Sequence, residues 1–243
     1  MRQFVIDIGN TRIKTAVFEA EKLVLEENFE TFESFSDYSK NLNFQYAIIS
    51  SVTYNQEQLK EMVDFSFIFL SKDTPVPIEN LYATPETLGV DRKAAAIGGR
   101  SIIENAPLLA IDLGSCITYE FLDAKDRYYG GAISPGLRMR FRAMHRQTAR
   151  LPLVDLTAGE RPDLIGNSTV NGMKSGVYHG ILHEMQGFIQ AYQAKYPGLR
   201  VIICGGDSKI FESLTKDHIF VIPNLVLYGL NRILTYNVNL QKV

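Results

Sequence analysis

Hydrophobic and polar positions change rhythm several times along the chain, and the rhythm predicts the elements. Phe4 to Ile8 is an apolar run ending in Asp7-Ile8-Gly9-Asn10-Thr11. Ile13, Thr15 and Val17 then alternate with their neighbours, and Lys22 to Phe29 follows, so Phe4 to Phe29 predicts two or three strands joined by short turns. Leu109 to Asp123 repeats the plan, with Ile111-Asp112-Leu113-Gly114-Ser115-Cys116, then Thr118 to Leu122, then Tyr128 to Ile133. A strand, an Asp-x-Gly turn and a hairpin that recur in one chain predict a duplicated domain.

Ala47 to Val52 and Phe65 to Leu70 are short apolar runs of buried-strand character, and Arg92 to Glu104 is helix-like, ending near Asn105-Ala106-Pro107. Ser168 to Tyr196 carries Val170, Met173, Val177, Ile181, Met185, Phe188, Ile189 and Tyr192 at helical spacing and stops at Pro197-Gly198. Arg200 to Cys204 predicts a buried strand turning through Gly205-Gly206, and Leu225 to Asn237 a final helix. Strands and helices mixed throughout give an α/β class: a domain over 1–107, a second over 108–243, and a cleft between them. Pro107 is the boundary marker.

Composition narrows the picture. With 46% hydrophobic residues in 243, there is ample material for a core. A formal charge of -2 supplies no general attraction for nucleic acid. Cys116 and Cys204 form no disulfide or zinc pattern, and no stretch approaches eighteen apolar residues, so the sequence predicts a cytoplasmic protein with neither a nucleic-acid nor a membrane partner.

The candidate chemistry lies in the turns. At Asp7-x-Gly9-Asn10-Thr11, backbone amides can approach phosphate oxygens, while Lys14 adds charge and Asp7 could hold magnesium through water. A hairpin with a polar tip is the plainer alternative. Asp112-x-Gly114-Ser115-Cys116-x-Thr118 would face the first loop and grip the β- and γ-phosphates. Neither loop has the GxxxxGK[ST] or GxGxxG pattern, which disfavours a P-loop or dinucleotide fold. Cys204-Gly205-Gly206-Asp207 is either a nucleoside contact or a simple turn. In Gly89-Val90-Asp91-Arg92 a carboxylate stands beside a guanidinium before a helix, suited to taking an alcohol proton, or merely to a helix start.

In order and spacing these motifs, with Gly131-x-Ile-x-Pro-Gly136 and Gly166-Asn-Ser-Thr169 through Ser175-Gly176, resemble type III pantothenate kinases over nearly the whole chain. The resemblance implies two ribonuclease-H-like domains and transfer of the ATP γ-phosphate to pantothenate, the first step of coenzyme A synthesis. It also implies a homodimer whose substrate pocket is completed by the partner subunit. Position by position, Asp7, Ile8, Gly9, Asn10, Thr11, Arg12, Ile13 and Lys14 look like the nucleotide-phosphate loop, and Ser115 like a second nucleotide contact. Asp91 resembles the catalytic base; Tyr82, Gly89, Val90, Asp91, Arg92 and Thr169 resemble the pantothenate contacts. Asp112 matches the ligand of a monovalent cation, potassium or ammonium. The second loop departs from the usual Asp-x-Gly-Thr-Ala-x-Thr by Ser115-Cys116, and Thr84-Pro85 stands where Asn-Pro is common.

His179 and His183 with Glu184 are one turn apart on the predicted long helix but lack the HExxH order. The arginines at 138, 140, 142, 146 and 150 crowd a short stretch that suits a subunit contact or anionic substrate better than nucleic acid. Two rival functions remain at this level: a kinase for another small alcohol or sugar, and a non-catalytic transcriptional accessory protein of the same fold.

Overall fold

The computed structural model describes residues 1–157, 159–214 and 218–241 and divides the chain into two compact units. One comprises Met1–Ile102 with Leu225–Val243, the other Ile103–Asn224.

In the first unit, β1 (Arg2–Ile8), β2 (Ile13–Glu19) and β3 (Lys22–Phe29) form an antiparallel meander. Helix α1 (Phe32–Ser39) leads to β4 (Tyr46–Ser51), parallel to β1, and α2 (Gln56–Met62) leads to the short β5 (Ile68–Phe69), so the strand order is β3-β2-β1-β4-β5. Alternation along the strands explains the layers, since successive side chains point to opposite faces. Phe4, Ile6, Ile8, Val17 and Ile49 pack with Phe35 of α1 and Leu59 of α2. Val5, Ala16, Phe18 and Ile48 pack on the other face with Ala94 and Ile97 of α3 (Val90–Ile102) and with Leu227, Leu230 and Leu234 of α6 (Leu225–Leu240). Both helix starts on the first face are capped: Thr31 Oγ1 accepts from the Ser34 N–H, and Asn55 with Gln58 forms a reciprocal capping box. A two-residue strand, β6 (Glu79–Asn80), and a 3-10 turn at Pro85–Thr87 precede α3.

The second unit repeats this order. Strands β7 (Leu108–Leu113), β8 (Cys116–Leu122) and β9 (Arg127–Pro135) form the meander, and α4 (Leu137–Gln147) and the 27-residue α5 (Thr169–Lys195) follow. β10 (Arg200–Cys204) and β11 (Ile219–Val221) complete a strand order of β11-β10-β7-β8-β9, with β10 parallel to β7 and to β11. Leu109, Ile111, Ile117, Tyr119 and Phe121 face a core closed by Phe141 of α4 and by Val177, Ile181, Met185 and Ile189 of α5. Each unit is therefore a meander continued by two parallel strands, and the duplication read from the Asp-x-Gly turns is a duplication of topology.

One sequence boundary needs correcting. The division into 1–107 and 108–243 put the last helix in the second half, but α6 packs on α3, β1 and β4 and belongs to the first unit. Small residues explain the choice of partner: a Cβ on Gly229 would stand 1.8 Å from the Ala94 carbonyl oxygen, and one on Gly98 2.1 Å from that of Leu225. Only glycine lets these two helices cross so closely.

Candidate active site

The turn between β1 and β2 is closed by the Gly9 N–H donating to the Arg12 carbonyl at 3.0 Å. Asn10, Thr11 and Arg12 are exposed at its tip, whereas Ile8 and Ile13 bury their side chains at 2% and 5% exposure, leaving only their backbones for a ligand. Asp7 lies at the end of β1 with Lys14 opposite on β2 and Ser50 beside it on β4. Burial pushes the Asp7 carboxyl up to about 6; the Lys14 charge and the Ser50 hydroxyl work against this, and the nearby Asp91 carboxylate adds to it. The buried Ser50 hydroxyl faces the Asp7 carboxyl and counts among the forces that hold it ionised.

Asp91 sits in the first turn of α3 and is exposed, its carboxylate accepting the Arg92 N–H at 2.9 Å. A carboxylate is at home at a helix N-terminus, where unpaired amides concentrate partial positive charge. Gly89 gives it room, since a Cβ there would lie 2.5 Å from Asp91 Oδ1. Arg92 is buried, and its guanidinium stands 5.6 Å from the ring centre of Tyr82, a cation-π contact that ties the two expected substrate residues together. Val90 is half-buried against the α3/α6 core. The next residue, Lys93, was not foreseen: it is 3% exposed, its Nζ donates to the Lys72 carbonyl at 3.1 Å, and Lys72 pairs with Glu86 in the 3-10 turn. Burial lowers the Lys93 pKa. The belt it makes braces the segment leading into Gly89.

In the second unit the equivalent turn is closed by the Gly114 N–H donating to the Cys116 carbonyl at 3.0 Å, with Ser115 exposed at the tip. Asp112 pairs in register with Thr118 on β8 and Cys204 on β10. Gly136 donates its N–H to the Ser115 carbonyl at 3.1 Å and Asp207 donates its own to the Leu113 carbonyl at 3.0 Å, so two further turns clasp this loop. Gly205 has a φ of +90°, and a Cβ there would come within 2.3 Å of Asp112 Oδ1. Burial raises the Asp207 carboxyl, opposed by Arg138 and reinforced by Asp155.

Thr169 opens α5 and is exposed beside Ser168, whose side chain caps the helix by accepting from the Asn171 N–H at 3.2 Å. The histidines noted on this helix are engaged separately: His179 Nε2 faces the Pro162 carbonyl and His183 Nδ1 the Gln186 side chain, while Glu184 is held by Tyr119, Ser134 and Arg140. Among the described residues, no three His, Cys, Asp or Glu side chains gather as a metal cluster. Ser50 and Lys93 escaped the sequence reading because a strand-end serine and a helical lysine carry no spacing signal; only the register beside Asp7 and the burial single them out.

Solved structures share this fold. A protein from Campylobacter jejuni assigned to the Baf family superposes with a TM-score of 0.65 at 22% identity, covering 97% of this chain and 99% of that one. The ROK hexokinase of Thermus thermophilus gives 0.54 at 13% identity, covering 98% of this chain and all of that one. Two mixed sheets flanked by helices, each with an Asp-x-Gly turn after its first strand, define the class of fold that this chain shares with those two structures. The family model for type III pantothenate kinase matches residues 3–191. Type III pantothenate kinases of Bacteroides fragilis and Cytophaga hutchinsonii are 41% and 42% identical to this chain over 239 and 235 residues, covering 96% of it in both cases and 97% and 99% of their own lengths. The chain belongs to the type III pantothenate kinase family.

Proposed function

We propose that the chain transfers the γ-phosphoryl group of ATP to the primary hydroxyl of pantothenate, giving 4'-phosphopantothenate for coenzyme A synthesis. Family membership supports the reaction, and one observation supports its residues: the Asp91 carboxylate, distant in sequence, is close enough to Asp7 to push its ionisation up. A carboxylate for the acceptor and a loop for the phosphates thus share one neighbourhood of the first unit.

Asp91 takes the hydroxyl proton as the pantothenate oxygen bonds to the γ-phosphorus. The bond from that phosphorus to the bridging oxygen of ADP then breaks, and ADP leaves with the electron pair. Lys14, the Asp7–Ile13 backbone with Asn10, Thr11 and Arg12, and the Ser115 hydroxyl offset the phosphate charge, so positioning and electrostatics provide most of the acceleration. Tyr82, the Gly89–Arg92 turn and a partner subunit's copy of Thr169 hold pantothenate.

The residues fit the expected cations. Burial leaves the ionised Asp7 carboxylate poorly solvated, and magnesium, which takes few protein ligands and keeps its waters, would offset that charge. Bound there, magnesium would neutralise phosphate charge. Asp112 offers a hard oxygen to potassium or ammonium. Leu164, Ile165 and Val170, exposed by 70%, 85% and 39% around the start of α5, support a second copy at Thr169. Two free thiols and, among the described residues, no helix long and apolar enough to cross a membrane support a cytoplasmic setting.

The test is an assay of the purified protein with ATP, magnesium and potassium against pantothenate and a panel of sugars. Formation of 4'-phosphopantothenate, identified by its mass, is expected. Phosphorylation of a sugar with pantothenate untouched would refute the proposal. Light scattering should give twice the 27.4 kDa of one chain.

A further inference from the structure

We propose that Arg140 is a positioning residue for ATP: its guanidinium ties Glu184 of α5 to the Pro135 carbonyl and so sets the place of the second phosphate loop. The inference rests on reading Ser115 as a nucleotide contact.

Arg140 Nε donates to the Pro135 carbonyl at 2.8 Å, while Nη2 of the same group donates to Glu184 Oε2. Glu184 is itself pinned, its Oε1 accepting from Tyr119 Oη at 2.8 Å and Ser134 Oγ at 2.5 Å. Side chains from β8, β9 and α4 thus converge on one carboxylate of α5. Arg140 and Glu184 are only 22% and 21% exposed, so water screens their attraction little. Burial works against the charge on Glu184, but the bonds from Ser134, Arg140 and Tyr119 outweigh it and hold the carboxyl below its usual range.

What makes this more than a stabilising ion pair is the residue after Pro135. Gly136 donates to the Ser115 carbonyl, and its α-carbon is so close to the loop that a Cβ would lie 2.3 Å from the Gly114 oxygen and 2.6 Å from the Ser115 oxygen. Packing at that distance transmits displacement, because backbone pressed against backbone cannot yield as a side chain can. Wherever Arg140 holds Pro135, it therefore also holds Gly114 and Ser115. The two jobs need the planar fork of a guanidinium; an ammonium is a point charge on a flexible stem and does not reproduce the paired geometry.

The experiment compares wild type with Arg140→Lys, Glu184→Gln and Tyr119→Phe. It measures KM for ATP and for pantothenate, ADP affinity by calorimetry, and melting temperature. Arg140→Lys should weaken ADP binding and raise KM for ATP by about tenfold, the effect of losing one charge-assisted bond. KM for pantothenate should stay within about twofold, since a bond confined to the nucleotide loop is not shared with the other substrate. Glu184→Gln should act in the same direction. Tyr119→Phe removes a bond from Glu184 but leaves the Arg140 to Pro135 link, so it should lower the melting temperature without changing KM for ATP. The inference is overturned if Arg140→Lys binds ADP like wild type, or if both KM values simply follow the melting temperature across the three variants. A wild type that binds no ADP would instead refute the reading of Ser115, and this inference with it.

Discussion

The two units carry the same turn after the same strand, yet they solve different problems. In the first, Asp7 is flanked by Lys14 and Ser50, and the tip of Asn10, Thr11 and Arg12 is exposed. In the second, Asp112 is flanked by Thr118 and Cys204, and the loop is clasped by Gly136 and by the Gly205 turn. One loop has charge and freedom; the other has hydroxyls and crowding. A duplicated fold has kept the aspartate in both copies while its neighbours diverged, the first copy gathering charge beside it and the second packing its loop tightly.

The most damaging change should fall on neither loop but on Asp91, the base proposed for the reaction. Asp91→Asn should lower kcat by roughly 10²- to 10⁴-fold, the usual worth of a positioned general base, with ATP affinity kept. Wild-type turnover in that variant would remove Asp91 from the mechanism. Next comes the charge that separates the loops: Lys14→Ala should cost about 10²-fold in kcat/KM for ATP. Thr118→Ala, at the matching position of the second loop, should cost only a few-fold, and equal losses would erase the contrast. Crowding provides the third test. Gly205→Ala forces a side chain onto a φ of +90° and against Asp112, and should destabilise the protein by about 3 kcal/mol. Gly9→Ala meets only the Arg12 carbonyl, at 3.3 Å, and should cost about 1 kcal/mol or less. Thermal melting of the two variants decides it.

The sequence displayed the meanders clearly, because strands half-buried on each face alternate and the Asp-x-Gly turn marks where each hairpin begins. The long helix was legible for the same reason, from Ser168 to Tyr196 against an observed Thr169–Lys195. Helices α1, α2 and α4 were not: α1 and α2 each rest on a single buried apolar residue, Phe35 and Leu59, and α4 hides its two, Leu137 and Phe141, among arginines. The return of α6 to the first unit depends on glycines at 98 and 229 meeting across more than half the chain, which no local pattern contains. Asp7 and Asp91 were visible as motif residues, whereas Ser50 and Lys93 stand out only by register and burial, and Arg140 and Glu184, noted in the sequence for other reasons, are joined only by the fold.

The smallest expected effect is a pH dependence confined to the first loop. The folded Asp7 carboxyl sits at about 6 against an ordinary 3.8, so the folded chain holds this proton more tightly than the unfolded one. Stability from this group is therefore complete below about pH 4 and is lost as pH rises through 6. Asp7→Asn removes the loss. Discounted for partial exposure, it should stabilise the protein by about 1–2 kcal/mol at pH 8 and hardly at all at pH 4. The same variant should lose magnesium-dependent activity, since the ionised carboxylate that costs stability is the form a cation would bind. Magnesium should accordingly raise the melting temperature of wild type at pH 8 but not that of Asp7→Asn. If Asp7→Asn melts like wild type at both pH values, the carboxyl is not strained by burial, and the first loop is no more demanding electrostatically than the second.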